Sequence, residues 1–192
     1  AKCDKCKDGM STFGVTDDGK GATECIDSGV PCKAGHGKDG EGVCQACKEG
    51  QFSMYGYKCF PCENGKWNDK EGQSDCTGCI PGKHSSGWKG STNESAACLA
   101  CGAGKYSNTL GALKCTESHP GRYCPHAGMS EPNPCSAGTF SSVYGAAECE
   151  ECSVGRYQDK DGMPYCKGCP SGKYNEIVPR NSNTSCLPCA MG

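Results

Sequence analysis

The chain has 192 residues, with 20 basic and 22 acidic side chains for a formal net charge of −2, and 21 cysteines. Ile, Leu, Val and Phe together number 17, far below the ~20% at which a chain stops being able to bury a core. That excludes a conventional apolar interior. The even, interspersed charge gives no reason to expect a nucleic-acid or anionic-membrane partner, and no apolar run approaches the ~18 residues of a membrane span.

Cysteine takes the place of burial. At about 11% of residues it marks a disulfide scaffold, and a reducing cytosol would leave so many thiols open. The expected location is therefore extracellular, either secreted or at the cell surface. The sequence begins at Ala1 with no charged and apolar leader, which is expected of a processed start or a window of a longer chain.

Taken in chain order, one pattern recurs. An "opening" cysteine has glycine at the third position after it and often an aromatic at the fifth. A "closing" cysteine follows, commonly with a glycine four residues before it, and two residues later the next unit opens. Residues 1–46 are the least regular part. Cys3 falls in the phase of a closing cysteine without an opener. Cys6 and Gly9 lead to Gly21 and Cys25, six residues separate Cys25 from Cys32, and the stretch from Cys32 to Cys44 lacks the aromatic.

Residues 47–117 are regular: Cys47 with Gly50 and Phe52 runs to Cys59, Cys62 with Gly65 and Trp67 to Cys76, Cys79 with Gly82 to Cys98, and Cys101 with Gly104 and Tyr106 to Cys115. Residues 118–134 keep the frame without its cysteines: Ser118 stands in the opening slot, with Gly121 and Tyr123 after it, and Pro132 in the closing slot, with Gly128 before it. A lone Cys124 lies between. Missing its bridge, this unit is expected to be a softer joint. Residues 135–192 resume with Cys135 to Cys149, Cys152 to Cys166 and Cys169 to Cys186, and end in the opening half-unit at Cys189.

Each unit reads as a short hairpin. The first glycine supplies a turn with positive φ and the second marks the return. Successive closure gives nine candidate bridges, 6–25, 32–44, 47–59, 62–76, 79–98, 101–115, 135–149, 152–166 and 169–186, although sequence alone leaves other pairings open. A loop of about 15 residues contributes roughly 3 kcal/mol by chain entropy. Cys3, Cys124 and Cys189 are left over, unpaired or joined between chains. The odd count requires at least one without an intrachain partner. The expected fold is small and disulfide-rich: an elongated, solenoid-like stack of about eleven stapled β-hairpins with little helix.

The pattern C-x-x-C-x-x-G-x-[YFW] followed by G-x-x-x-C-x-x-C resembles the ephrin-receptor-like cysteine-rich repeat, related to tumour-necrosis-factor-receptor and growth-factor-receptor cysteine-rich modules. The resemblance implies small extracellular modules in series and no enzymatic activity. It implies no particular ligand, since the family shares a scaffold rather than a function.

Other constellations are weaker than their structural explanations. C-x-x-C pairs in a continuous series favour disulfides over zinc. His119 and His126 beside Cys124 are expected to be loop histidines rather than ligands, and Asp17-Asp18-Gly19 and Asp159-Lys160-Asp161-Gly162 to be turns rather than calcium loops. No cofactor is expected. Asn93-Glu94-Ser95 and Asn183-Thr184-Ser185 are acceptor motifs for N-linked glycan in the two longest late loops.

The expected function is a structural repeat rod building a surface coat, stalk or head-to-tail fibril, with the chain itself or other extracellular proteins as partners. The alternative is a receptor or adhesion ectodomain. Trp88, Met54 with Tyr55, and Leu99 are the candidate binding residues for that alternative.

Overall fold

The computed structural model describes residues 10–11, 26–27, 31–176 and 180–189. Cys3, Cys6 and Cys25, and with them the candidate 6–25 bridge, lie outside the described residues. Among the described residues there are ten two-stranded sheets, each formed by strands that neighbour each other in sequence. Most strands are only two residues long. Lys66–Trp67 pairs with Thr77–Gly78, Lys105–Tyr106 with Thr116–Glu117, and Arg122–Tyr123 with Asn133–Pro134. Among the described residues eight disulfides close eight of the hairpins, each joining an opening cysteine to its own closing cysteine: 32–44, 47–59, 62–76, 79–98, 101–115, 135–149, 152–166 and 169–186. The half-unit expected at Cys189 forms no hairpin among the described residues.

The two long loops carry the helical turns. Glu94–Ala97 is one α-turn, α1, whose cap Asn93 accepts a hydrogen bond from the Ala96 N–H, and Asn183–Ser185 is a 3-10 turn. The regular strand aromatics are half-buried, opposite the residue that follows the closing cysteine, as in Trp67 across from Thr77 and Tyr106 across from Thr116. The irregular hairpin of His36–Lys38 with Cys44–Ala46 has Gly37 in the aromatic's place. A Cβ there would stand 2.6 Å from the Cys59 nitrogen, so the neighbouring module leaves no room for a side chain.

The chain divides into two compact units, residues 1–79 with 85–98, and residues 80–84 with 99–192. In the first, Gly50 donates its N–H to the Asn68 carbonyl, the Asn68 N–H goes to Ser91, and the Gly90 N–H goes to Cys62. The only cluster of buried apolar groups described there is Cys79, Ala97 and Cys98 with Trp67 against it.

The second unit repeats the scheme from module to module. Counting from the opening residue, the N–H at +3 reaches the carbonyl at +6 of the next module: Gly104 to Cys124, Gly121 to Ser141, Gly138 to Gln158. The return-turn glycine of that module donates to the opening residue's carbonyl, as Gly128 does to Cys101, Gly145 to Ser118 and Gly162 to Cys135. These contacts need main chain against main chain. A Cβ on Gly121, where φ is +84°, would fall 2.1 Å from the Gly162 carbonyl oxygen two modules along.

The interior is consequently polar and sulfurous. Most of the deeply buried residues described are opening cysteines, from Cys47 to Cys152, and a file of polar or sulfur-bearing side chains, while Tyr55, Trp88, Leu110 and Val154 face solvent. The file occupies +6 of the eight modules that open from Cys47 to Cys169. In the first unit its members are Ser53, Asn68 and Ser85, in the second Ser107, Cys124, Ser141, Gln158 and Asn175, and each is buried. These polar groups are satisfied locally. The Asn68 side chain gives a hydrogen bond to the Gln51 carbonyl and accepts one from the Lys70 N–H; Gln158 gives to Tyr165 and accepts from Lys160.

The hydrogen-bond frame continues through residues 118–134, where a softer joint is expected. The Ser118 N–H donates to Gly104 and the Cys124 N–H to Ala146. The buried Ser118 hydroxyl also donates to the Ala146 carbonyl, at 3.3 Å, in the place where the other modules put a disulfide sulfur.

Three glycine-to-alanine changes separate the contributions. Gly102 has open space and no positive φ, Gly155 has φ +74° and open space, and Gly121 has both positive φ and the contact. Denaturant unfolding with disulfides intact is expected to rank them. Gly102→Ala should change stability by less than about 0.5 kcal/mol, Gly155→Ala should cost about 1–2 kcal/mol, and Gly121→Ala should cost more than either.

Candidate protein-binding face

Apolar groups that a globular protein would bury are here displayed, and one group of them converges. In the hairpin formed by Gln51–Phe52 and Phe60–Pro61, the return segment carries Met54, Tyr55 and Tyr57 outward. Phe52, Met54, Tyr55, Tyr57, Lys58 and Phe60 line an almost wholly apolar cleft of about 350 Å³. Phe52 and Phe60 face each other across the strands with ring centroids 6.4 Å apart, and the Lys58 ammonium lies 5.8 Å from the Phe60 centroid.

The segment bulges because its turn is anchored at two points. The Gly56 N–H donates to the Ser53 hydroxyl, and the Gly56 carbonyl accepts from the Cys32 N–H. Between these anchors the bulky side chains have nowhere to go but outward.

Of the residues singled out from sequence, Met54 and Tyr55 thus belong to a surface, half and three-quarters exposed respectively. Trp88 and Leu99 are exposed but line no part of it. Tyr57 and Phe60 were not recognised as part of it. Both flank Cys59, and the signal available was the density of aromatics between Cys47 and Cys62, which no other module repeats.

The leftover cysteines differ from one another. Cys124 is free and fully buried, and Cys189 is free and exposed. That burial favours the unpaired of the two roles expected of Cys124. Burial also pushes the Cys124 thiol above its ordinary value of 9.0, which keeps it protonated and unreactive at neutral pH. The His119 ring lies against Tyr144 with centroids 5.4 Å apart.

In the Asp159 to Gly162 turn, Asp161 accepts the Ala137 N–H at 2.7 Å and Asp159 is bonded to Lys167. That ammonium holds the Asp159 carboxyl below the usual range. No group of three or more metal-ligating side chains occurs among the described residues.

Compared with known proteins, the chain matches no family model and no curated protein sequence.

Thiol labelling follows directly from these environments. In the oxidised monomer, separated from any oligomer linked through Cys189, a charged maleimide should modify Cys189 rapidly and leave Cys124 untouched until denaturant is added. Labelling of both at similar rates would contradict the buried placement. Cys124→Ser restores the side chain found in four sibling modules and should change stability by less than about 1 kcal/mol.

Proposed function

We propose that this chain is a non-enzymatic extracellular structural protein whose stapled modules build a surface coat, stalk or fibril. The observation that carries the proposal is the invested interior: main-chain hydrogen bonds and disulfides are repeated module after module. Such repetition suits mechanical continuity, since each module's contacts are with its near neighbours in sequence.

The eight disulfides, together with the lack among the described residues of any helix long and apolar enough to cross a membrane, fit an extracellular protein. Kinship with ephrin-receptor-like and tumour-necrosis-factor-receptor-like repeats belongs to the same reading and rests on the cysteine and glycine spacing alone. Head-to-tail joining would use the exposed Cys189 thiol.

Glycan at Asn93 and Asn183 is part of the reading. Asn93 is exposed and its Oδ1 accepts from both the Ala96 N–H and the Ser95 hydroxyl, so a sugar on Nδ2 leaves the cap of α1 in place. A second reading, an ectodomain that binds a protein ligand, is favoured by the Met54, Tyr55 and Tyr57 cleft, because exposed aromatic clusters of this kind are common at interfaces.

Non-reducing electrophoresis with negative-stain microscopy of the native protein distinguishes the two. Covalent assembly gives a ladder that collapses on thiol addition and is lost in Cys189→Ser, with filaments on the grid. A single band with separate particles that bind a partner through Tyr55 and Tyr57 would instead support the ectodomain. Ser95→Ala should remove one glycan while sparing the helix cap, giving a discrete rise in mobility that glycosidase treatment of the parent reproduces.

A further inference from the structure

The second unit contains the same groove twice. One copy is lined by Tyr106, Asn108, His119, Arg122, Glu131 and Pro132. The other is lined by Phe140, Ser142, Ser153, Arg156, Tyr165 and Cys166. These six positions in the second lie 34 residues after their counterparts in the first, which is two modules of the repeat, and Pro164 lines the second alone. The first holds about 280 Å³ and the second about 350 Å³, and both are open to solvent.

Their geometry follows from the hairpin. The strand aromatic of one module forms a wall, and the arginine at +4 of the next lies along it, its guanidinium giving one hydrogen bond to the carbonyl at +14: Arg122 to Pro132 at 3.2 Å, Arg156 to Cys166 at 3.5 Å.

The charge balance at these arginines differs from that at two of the lysines in the same strand position. At the same strand position elsewhere, Lys66 pairs with Asp75 and Lys105 with Glu117. Neither Arg122 nor Arg156 has a carboxylate within ion-pair distance among the described residues, although Glu131 lines the first groove, and both arginines are exposed. In the module between them the position is Thr139, whose hydroxyl turns back to the Ser136 carbonyl. Two unneutralised guanidinium groups, each with donors to spare, therefore stand beside aromatic rings at a two-module interval.

We propose that these two grooves bind an acidic saccharide chain, with a sugar ring against Tyr106 or Phe140 and its carboxylate or sulfate on Arg122 or Arg156. A planar fork suits a two-oxygen anion, and the aromatic face offers an apolar wall to the C–H side of a pyranose. Asn108 and His119 in one groove, and Ser142 and Ser153 in the other, supply partners for ring hydroxyls. An open groove repeated along one unit suits a polymer with regularly spaced charges, because the second contact is made at high effective concentration. The proposal holds whether the chain builds a coat or serves as an ectodomain.

Titration calorimetry of the full-length oxidised chain at low salt, with polygalacturonate, chondroitin sulfate and neutral dextran as probes, tests it. Binding to either anionic probe with none to dextran is expected, and which of the two binds identifies carboxylate or sulfate as the group recognised. Arg122→Gln or Arg156→Gln should each weaken binding about tenfold, and the double variant should remove it. Lys160→Gln, the same charge change in an exposed return turn, should have less than a twofold effect. Arg122→Lys keeps the charge without the fork, leaves the strand pairing intact, and should fall between parent and Arg122→Gln. Dextran binding as tightly as the anionic probes, no binding to either of them, or an equal loss in Lys160→Gln would overturn the proposal.

Discussion

The structure depends on bringing main chain directly against main chain between successive hairpins. Glycine at +3 adopts positive φ, which turns its N–H toward the carbonyl at +6 of the next module, and its missing Cβ leaves room for a carbonyl two modules along. Where backbone fills the interior, large side chains cannot. The buried positions that remain are small, and they hold cysteine, serine, asparagine or glutamine, whose polar atoms finish the hydrogen bonding of the turns. Leucine and tyrosine move outward for the same reason.

Disulfides then act on the unfolded chain more than on the folded one. The module of residues 118–134 separates the two roles. It has no bridge, yet its hydrogen bonds to both neighbours in sequence match those of the bridged modules. Its two unusual residues have in effect exchanged places: serine occupies the opening slot that is cysteine elsewhere, and cysteine occupies the +6 slot that is serine in four siblings. Thiol and hydroxyl are close in size, so both buried sites remain filled. The Ser118 hydroxyl, unlike a sulfur in a bridge, also gains the Ala146 carbonyl.

Much of this fold was legible in the sequence because glycine and cysteine fix backbone directly. The positive φ at Gly104 and Gly111, the hairpin of Lys105–Tyr106 with Thr116–Glu117, and the missing staple at Ser118 and Pro132 all follow from residue identity and spacing. The +6 file was not read as a position in its own right, since a buried serine looks like any surface serine until the main chain around it is known. The softer joint was an expectation of similar origin: the missing bridge is visible in sequence, and the hydrogen bonds that continue through the module are not. The candidate binding surfaces were half legible. Met54 and Tyr55 stood out by type, whereas the register that sets Arg122 and Arg156 against Tyr106 and Phe140 emerges only when neighbouring hairpins are in contact.

Function, on this account, belongs to the outside of a scaffold whose interior is given over to continuity. Amide hydrogen exchange in the oxidised native protein tests that central claim most directly. If the hydrogen-bond frame holds the array, the amides of Gly121, Cys124 and Gly128 in the bridgeless module exchange as slowly as those of Gly104, Ser107, Gly138 and Gln158 in bridged ones. Exchange at the first three faster by orders of magnitude would contradict it, and would show that the staple, rather than the frame, keeps each module closed.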